Sequence, residues 1–453
     1  MKRSWLFSCL LGTLAMPLLG QDFKITKLPG AAAALSSSGK VTGGPGPAYV
    51  WSRTGGVQYL GSLGGYTYPL AINKAGEVVG QSLLADGATY HAFFWTASGG
   101  IQDLGSPQGG NSEATAINDA GEVTGWSASP DETSVHAFFW SAATGTVDLG
   151  IPPDGHAQSY GSAINDLGEV IGTNGIPSYA VPLRCFRWTQ ASGMTESNIL
   201  YGCSQYQHGI NHRGQTIGSN LGSNLQKHAA IWEPDGTIQD LGTLSGDSAS
   251  GALSINRAGN VVGYSRPTAT GGRERSFFWT PTGGIIDIGR LPKYLNARSI
   301  PAGINNRNQV VGENGAAYLW SKTIGIVQVV GANYPAYGSL NDAGQFLGTL
   351  PNSVLATPVM HVALASSQNP SALGQNVTFT AKVKAIVGLP PNGEQVTFLD
   401  GKTVLGTGVL SKGIATLTTS ALKAGTNYIT ASYPGDDNYY PNKSAVLSQV
   451  VNP

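Results

Sequence analysis

The pattern I-N-x-x-G-x-V-x-G, present in full at Ile117-Asn118-Asp119-Ala120-Gly121-Glu122-Val123-Thr124-Gly125, returns along most of the chain and sharply limits the folds open to it. Copies open at Ile72, Ile117, Ile164, Ile210, Ile255 and Ile304, with degraded copies at Leu35 and Leu340, so the interval is mostly 45 to 49 residues and about 36 at both ends. Asn at the corner of a turn can accept a hydrogen bond from the backbone two residues on, and Gly three positions later takes a positive φ at no steric cost. The pairs Asn73/Gly76, Asn118/Gly121, Asn165/Gly168, Asn211/Gly214, Asn256/Gly259 and Asn341/Gly344, with Asn305 in the remaining copy, therefore read as hairpin turns. The E-V-V-G, E-V-T-G and E-V-I-G segments that follow alternate polar and apolar residues, as a half-buried strand does.

Two further blocks recur in register. One ends in Trp: His91-Ala92-Phe93-Phe94-Trp95, His136-Ala137-Phe138-Phe139-Trp140, then Trp188, Trp232, Trp279, Trp320 and, upstream, Trp51. The other is Ile101-Gln102-Asp103-Leu104-Gly105, echoed at Val147 to Gly150, Ile238 to Gly242 and Ile286 to Gly289. One repeat thus reads as four short strands separated by Gly-rich turns, the signature of a β-propeller blade. Regularly repeated Phe-Phe-Trp is expected to be core between blades, since each blade must cover the face of the next.

The segment Phe23 to Gly30 resembles the third block but has no first or second block before it, while the last repeat lacks a third block. A ring must join its two ends, so this strand is expected to complete the last blade. Tyr337 to Asn341, Gln345 to Leu350 and a segment within Val359 to Leu364 would supply the rest. Counting in this way gives eight blades. Seven is the alternative if residues 336 to 364 form a linker or capping hairpin.

With its blocks in this order, the stretch from about residue 31 to 350 resembles the bacterial HAF-repeat family of extracellular proteins. The resemblance implies secretion and repeat architecture, and it brings no agreed catalytic residues. From about His361 a new alternation begins, with Val377 to Val383, Val396 to Leu399, Ala415 to Thr418 and Tyr428 to Tyr433 at the spacing of a β-sandwich. This segment resembles bacterial Ig-like domains of surface proteins, including Tyr433-Pro434-Gly435-Asp436-Asp437-Asn438-Tyr439, and places Tyr428 where a tyrosine corner would sit. The expected fold is therefore all-β: a propeller over residues 22–364 and an Ig-like sandwich over 365–453. A domain with its own core is expected to fold independently.

Residues 1 to 20 read as a secretory signal, with Lys2 and Arg3 ahead of the apolar run Trp5 to Leu19 and small Gly20 before Gln21. No later apolar run is long enough to span a bilayer. Three cysteines occur, and Cys9 lies in the signal. Cys185 and Cys203, within one repeat, are therefore expected to form a disulfide in an oxidising compartment, worth roughly 3 kcal/mol for a loop of this length.

Formal net charge is zero and charged residues make up 11% of the chain, so the basic footprint of a nucleic-acid binder is missing. The position after each turn Asn is Lys74, Asp119, Asp166, His212, Arg257, Asn306 or Asp342, and a cation site would not be built with Lys or Arg aimed at the ion. Asp436, Asp437 and Asn438 make a better oxygen cluster but are too few to fill a calcium shell of about 6 to 8 ligands. His91, His136 and His228 sit at equivalent strand ends and are expected to be satisfied by backbone carbonyls rather than to converge on a metal. No nucleophile elbow, zinc-protease helix or phosphate loop occurs. No cofactor, metal or catalytic residue is expected. Three functions follow in order: a secreted or cell-surface interaction or structural protein whose partner is a protein or glycan, a lectin-like propeller using Tyr66, Tyr68, Tyr160, Tyr206 and Tyr337, and a polysaccharide-cleaving enzyme.

Overall fold

The computed structural model describes residues 22–151, 158–175, 184–201, 203, 209–221, 226–267, 272–349, 353–386 and 388–453. The signal segment expected at residues 1 to 20, Cys9 and Tyr206 lie outside them. Strands account for almost all regular structure among the described residues, with one 3-10 turn at Pro292–Tyr294.

Each repeat forms an antiparallel meander, and the second shows the plan: Gly64–Ile72, Val78–Leu84, Tyr90–Thr96 and Gly100–Gly105, from the axis outward. The inner strand carries a bulge, and the Gly that ends the motif lets its carbonyl approach the second strand. A Cβ on Gly125 would lie 1.9 Å from the Glu113 oxygen. Equivalent meanders begin at Ala32, Ser112, Ser159, Ala249 and Ile300. The fourth and fifth blades are joined edge to edge through Tyr201 and Ser219, and the inner segment of the fifth is reduced to a bridge from Ile210 to Thr216.

The eighth blade consists of Phe346–Gly348, Val354–Pro358 and, in the outer position, Phe23–Lys27. The strand from the front of the chain thus fills the gap left at its back, in register from Phe23 opposite Pro358 to Lys27 opposite Val354. The described residues form eight blades. The third strand of the last blade ends before the segment Val359 to Leu364, because His361–Ser366 pairs instead with Val377–Lys384 and opens the sandwich.

Blades pack through the repeated aromatics. Phe94 meets Trp140 of the next blade at 4.9 Å between centroids, Phe139 meets Trp188 at 5.3 Å and Phe278 meets Trp320 at 5.2 Å. The second Phe of one repeat and the Trp of the following repeat therefore form a single interface, so no blade buries its own apolar face unaided.

The C-terminal sandwich has one sheet of three strands and a second built around Gly425–Tyr433, with Phe379, Phe398, Ile429, Ala431 and Tyr433 fully buried between them. Tyr428 is 56% exposed and makes no corner, because strand alternation turns it outward. Asn427, one residue earlier, faces inward, and its amide donates to the Lys423 carbonyl at 2.9 Å, the back-bond assigned from sequence to the tyrosine.

Nor is the sandwich a detached body. Its Asp436 to Tyr440 loop lies on the propeller at the junction of the first and eighth blades. Arg53 donates to the Asp436 carbonyl, and the Asp437 carboxylate accepts the Thr54 N–H at 2.7 Å. Gln345 donates to the Asp437 carbonyl at 2.9 Å, and Thr26 and Tyr440 are hydrogen-bonded through their hydroxyls. The oxygens considered from sequence as cation ligands are thus occupied by donors from the propeller and from their own turn.

Candidate functional site

The inner segments of the blades enclose an axial channel of about 850 Å³. Its two ends differ, and the difference follows from the repeat.

At one end lie the Asn turns. The Asn118 side-chain oxygen accepts the N–H groups of Ala120 and Glu122 at 3.1 and 2.8 Å, closing its own turn. Its amide nitrogen donates to the Glu122 carboxylate at 2.6 Å and to the carbonyl of Asn165 in the next blade at 2.9 Å. The same cross-blade bond runs from Asn73 to Asn118, Asn165 to Asn211, Asn211 to Asn256, Asn256 to Asn305 and Asn305 to Asn341. Asn341 completes the chain onto the Ser36 carbonyl of the first blade. Ser38 and Lys40 there replace the missing amide, donating to the carbonyls of Lys74 and Ala75 at 2.8 Å each.

A buried amide whose donors and acceptor are all used is stabilising, whereas an unpaired one is costly. The turn Asn is therefore a circumferential tie as well as a turn former. Gly takes the positive φ at 91° in Gly76 and 80° in Gly121, and in the copy without Gly the residue Asn308 adopts 60°.

The other turn glycines, Gly168, Gly214, Gly259 and Gly344, hold the same place with φ between 73° and 85°, and each stands outside the channel lining. Their role is nevertheless wider than the local turn expected from sequence. A Cβ on Gly168 would lie 3.0 Å from the Glu122 carboxylate of the preceding blade, one on Gly214 would lie 2.7 Å from that of Glu169, and one on Gly259 would lie 2.8 Å from the Gln215 side-chain oxygen. Space is short because the turn Asn draws that side chain towards the next blade. Gly344 closes its turn by donating its N–H to the Asn341 carbonyl at 3.0 Å.

Residues following the Asn make a second ring. Lys74 and Asn306 donate their backbone N–H to the carboxylates of Asp119 and Asp342, while the Arg257 guanidinium meets Asp166 at 3.2 Å from two blades away. This end is occupied by internal bonds.

Towards the opposite end the equivalent strand positions differ from repeat to repeat, and only some of them reach the channel. The residue after the motif-ending Gly is Gln81, Trp126, Thr173, Tyr264 or Glu313, paired across the sheet with Tyr68, Glu113, Tyr160, Gly251 or Ile300. Two adjacent pairs, Glu113 with Trp126 and Tyr160 with Thr173, line the channel together. The Trp126 indole N–H donates to the Glu113 carboxylate at 3.3 Å, and its ring meets the Tyr160 ring edge-on at 6.2 Å. Burial pushes the Glu113 carboxyl above the usual carboxylate range, opposed in part by the Trp126 bond, and burial raises the Tyr160 phenol as well. Sequence reading named Tyr160 but missed Glu113 and Trp126. Their signal was their departure from the repeat.

Of the remaining tyrosines Tyr337 shares the channel lining with Tyr160, whereas Tyr66 is 61% exposed and Tyr68 packs against Tyr90 at 6.0 Å. Histidine pairing also differs from expectation. His91, His136 and His228 face the carboxylates of Asp103, Asp148 and Asp240 at 2.9 to 3.1 Å rather than backbone carbonyls, because the third and fourth strands bring the two blocks side by side. In the sixth blade Arg275 takes the same place opposite Asp287. Cys185 and Cys203 are disulfide-bonded, with Cα atoms 5.5 Å apart. Among the described residues no cluster of three or more potential metal ligands occurs, and no helix is long and apolar enough to cross a membrane.

Comparisons place part of the chain. The solved structures it resembles include TolB from Acinetobacter baumannii, at 10% identity over 74% of this chain and 80% of that one with a TM-score of 0.33. They also include the extracellular domain of the one-component system BT4673 from B. thetaiotaomicron, at 10% identity over 94% and 86% with a TM-score of 0.24. No curated protein matches the chain. Residues 364–452 match the bacterial Ig-like domain (group 3) family, so the C-terminal sandwich is similar to the modules of that family.

Proposed function

We propose that this is an exported, non-catalytic binding protein of the HAF-repeat type, whose propeller is a rigid scaffold and whose Ig-like module braces it. Its partner would be a protein or glycan at the cell surface or in the periplasm. The observation that carries this reading is the division of labour within the ring. Repeated polar residues are consumed in tying blade to blade, which leaves the non-repeating positions at one channel mouth to select a ligand. Preformed concave sites of this kind favour binding, because little ordering entropy is lost when a ligand enters.

The polysaccharide-cleaving alternative asks for two carboxyls about 5 to 9.5 Å apart. Among the described residues lining the channel, Glu113 stands alone at its end. The other lining carboxylates, Asp119, Asp166 and Asp342, belong to the turn end, five or more residues further along an inner strand and hence about 15 Å away.

Export and binding are tested together by expressing the full chain in a bacterial host. N-terminal sequencing of protein from the periplasm or medium should show cleavage close to Gln21. Immobilised protein should retain ligands from glycan and peptide arrays without releasing hydrolysis products. Retention in the cytoplasm with residues 1 to 20 intact would contradict export, and product release would contradict the non-catalytic reading.

A further inference from the structure

We propose that the channel mouth formed by Glu113, Trp126, Tyr160 and Thr173 is a binding site for a small organic cation, an ammonium or guanidinium group. This deepens the scaffold reading and rests on it.

The argument begins with charge. Channel-lining residues include four carboxylates, Glu113, Asp119, Asp166 and Asp342, against two cations, Lys74 and Arg257. Both cations belong to the turn end, where Arg257 is paired with Asp166. Among the described residues Glu113 has one hydrogen-bond partner, the neutral Trp126 indole, and no cation beside it. A half-buried carboxylate without a counter-charge costs more to ionise than a solvated one, and the group that relieves the cost is a cation brought by a ligand.

The walls favour the same ligand. Trp126 and Tyr160 present aromatic surface beside the carboxylate, and a cation over such a face gains more when it is desolvated. A neutral sugar would also stack here, but it would leave the carboxylate uncompensated. Upward displacement of the Glu113 carboxyl by burial is the expected state of such a site before its cation arrives.

Position supports access. Among the described residues the sandwich packs at the turn end, through Asp436 to Tyr440 against Arg53, Asn341 and Gln345, and not at this mouth. A volume of about 850 Å³ admits a small molecule whole. Repetition argues too: no other described cross-strand pair at this level combines a carboxylate with an aromatic ring, since Glu313 lies opposite Ile300 and is paired with Arg298 at 2.7 Å.

Isothermal titration of the purified protein with 1,4-diaminobutane, methylguanidinium and glucosamine, beside N-acetylglucosamine and glucose as neutral counterparts, tests the site. Saturable binding of at least one cationic probe is expected, weakened tenfold or more by Glu113→Gln and by Trp126→Leu, with the neutral sugars at least tenfold weaker on the parent. Thermal melting of each variant establishes that it is folded. Binding unchanged by Glu113→Gln, equal binding of neutral and cationic probes, or no saturable binding by any probe each overturns the assignment. Array binding that survives Glu113→Gln would then leave the scaffold reading standing without this site.

Discussion

Asn341 donates its side-chain amide to the carbonyl of Ser36 at 3.2 Å, joining residues 305 positions apart in the chain. It closes a circle of bonds that otherwise runs from each blade to the next in sequence. Closure of the ring therefore has three layers: this tie near the axis, the Phe23–Lys27 strand at the rim, and the sandwich loop laid across both blades.

The first layer predicts an asymmetry between two substitutions of one residue. Asn118→Ala removes two acceptor and two donor bonds and should cost about 2 to 4 kcal/mol in denaturant unfolding. Asn118→Asp keeps the turn acceptor but sets a carboxylate against Glu122 and the Asn165 carbonyl, so it should cost more than Ala. If Asp is tolerated better than Ala, the turn is the whole role of the residue.

The third layer gives the two domains a shared interface, which predicts that the sandwich is not independent of the propeller although it has its own core. Removing residues 360–453 should lower the melting temperature of the propeller by about 5 °C or more, and Asp437→Ala should reproduce part of the loss, about 1 kcal/mol. Unchanged melting in both would reduce the sandwich to a passenger.

Much of this architecture is legible in the chain, because a period of fixed length with two hydrophobic periods inside it leaves few folds. The orphan strand at Phe23 is readable for the same reason, as a block without its companions. Cross-blade bonds of Asn118 are not, since the acceptor lies 47 residues away and a local pattern explains the residue without it. Gly168 and Gly214 hid the same lesson, because a turn accounts for each of them before the carboxylate of the preceding blade is seen. The His136 partner was within reach, as Asp148 stands 12 residues on and the same spacing recurs from His91 and His228. Tyr428 misled because its place just after a corner Gly was weighed above strand alternation, which turns Asn427 inward instead. Glu113 and Trp126 are invisible to a search for what repeats.

Glu113 carries a pH prediction whose sign follows from its raised carboxyl. An acid whose folded value is raised contributes stability that is fully present below its unfolded value, about 4.3, and lost as pH rises through the folded one. Glu113→Gln escapes that loss. Its melting temperature should match the parent near pH 4 and exceed it at pH 7 to 8. A difference that is absent at neutral pH, or negative there, would contradict burial of the charge.

Cys185 and Cys203 should remain joined in protein recovered from the periplasm or medium, because both are fully buried side by side in the structure. Peptide mapping by mass spectrometry without reductant checks this. Reduction should lower stability by roughly 3 kcal/mol, the loop-entropy value for a span of this length. Two free thiols in exported protein would sink the assignment.

Closure by the front of the chain is the claim on which the ring depends, and hydrogen exchange resolved to peptides tests it without altering the protein. Amides of Phe23–Lys27 should be protected to the same degree as those of Val354–Pro358 and should lose protection together with the central blades as denaturant is raised, since they belong to one cooperative unit. Exchange of Phe23–Lys27 at nearly unfolded rates, while strands such as Val123–Ala128 stay protected, would show the ring to be closed without it and would contradict the account.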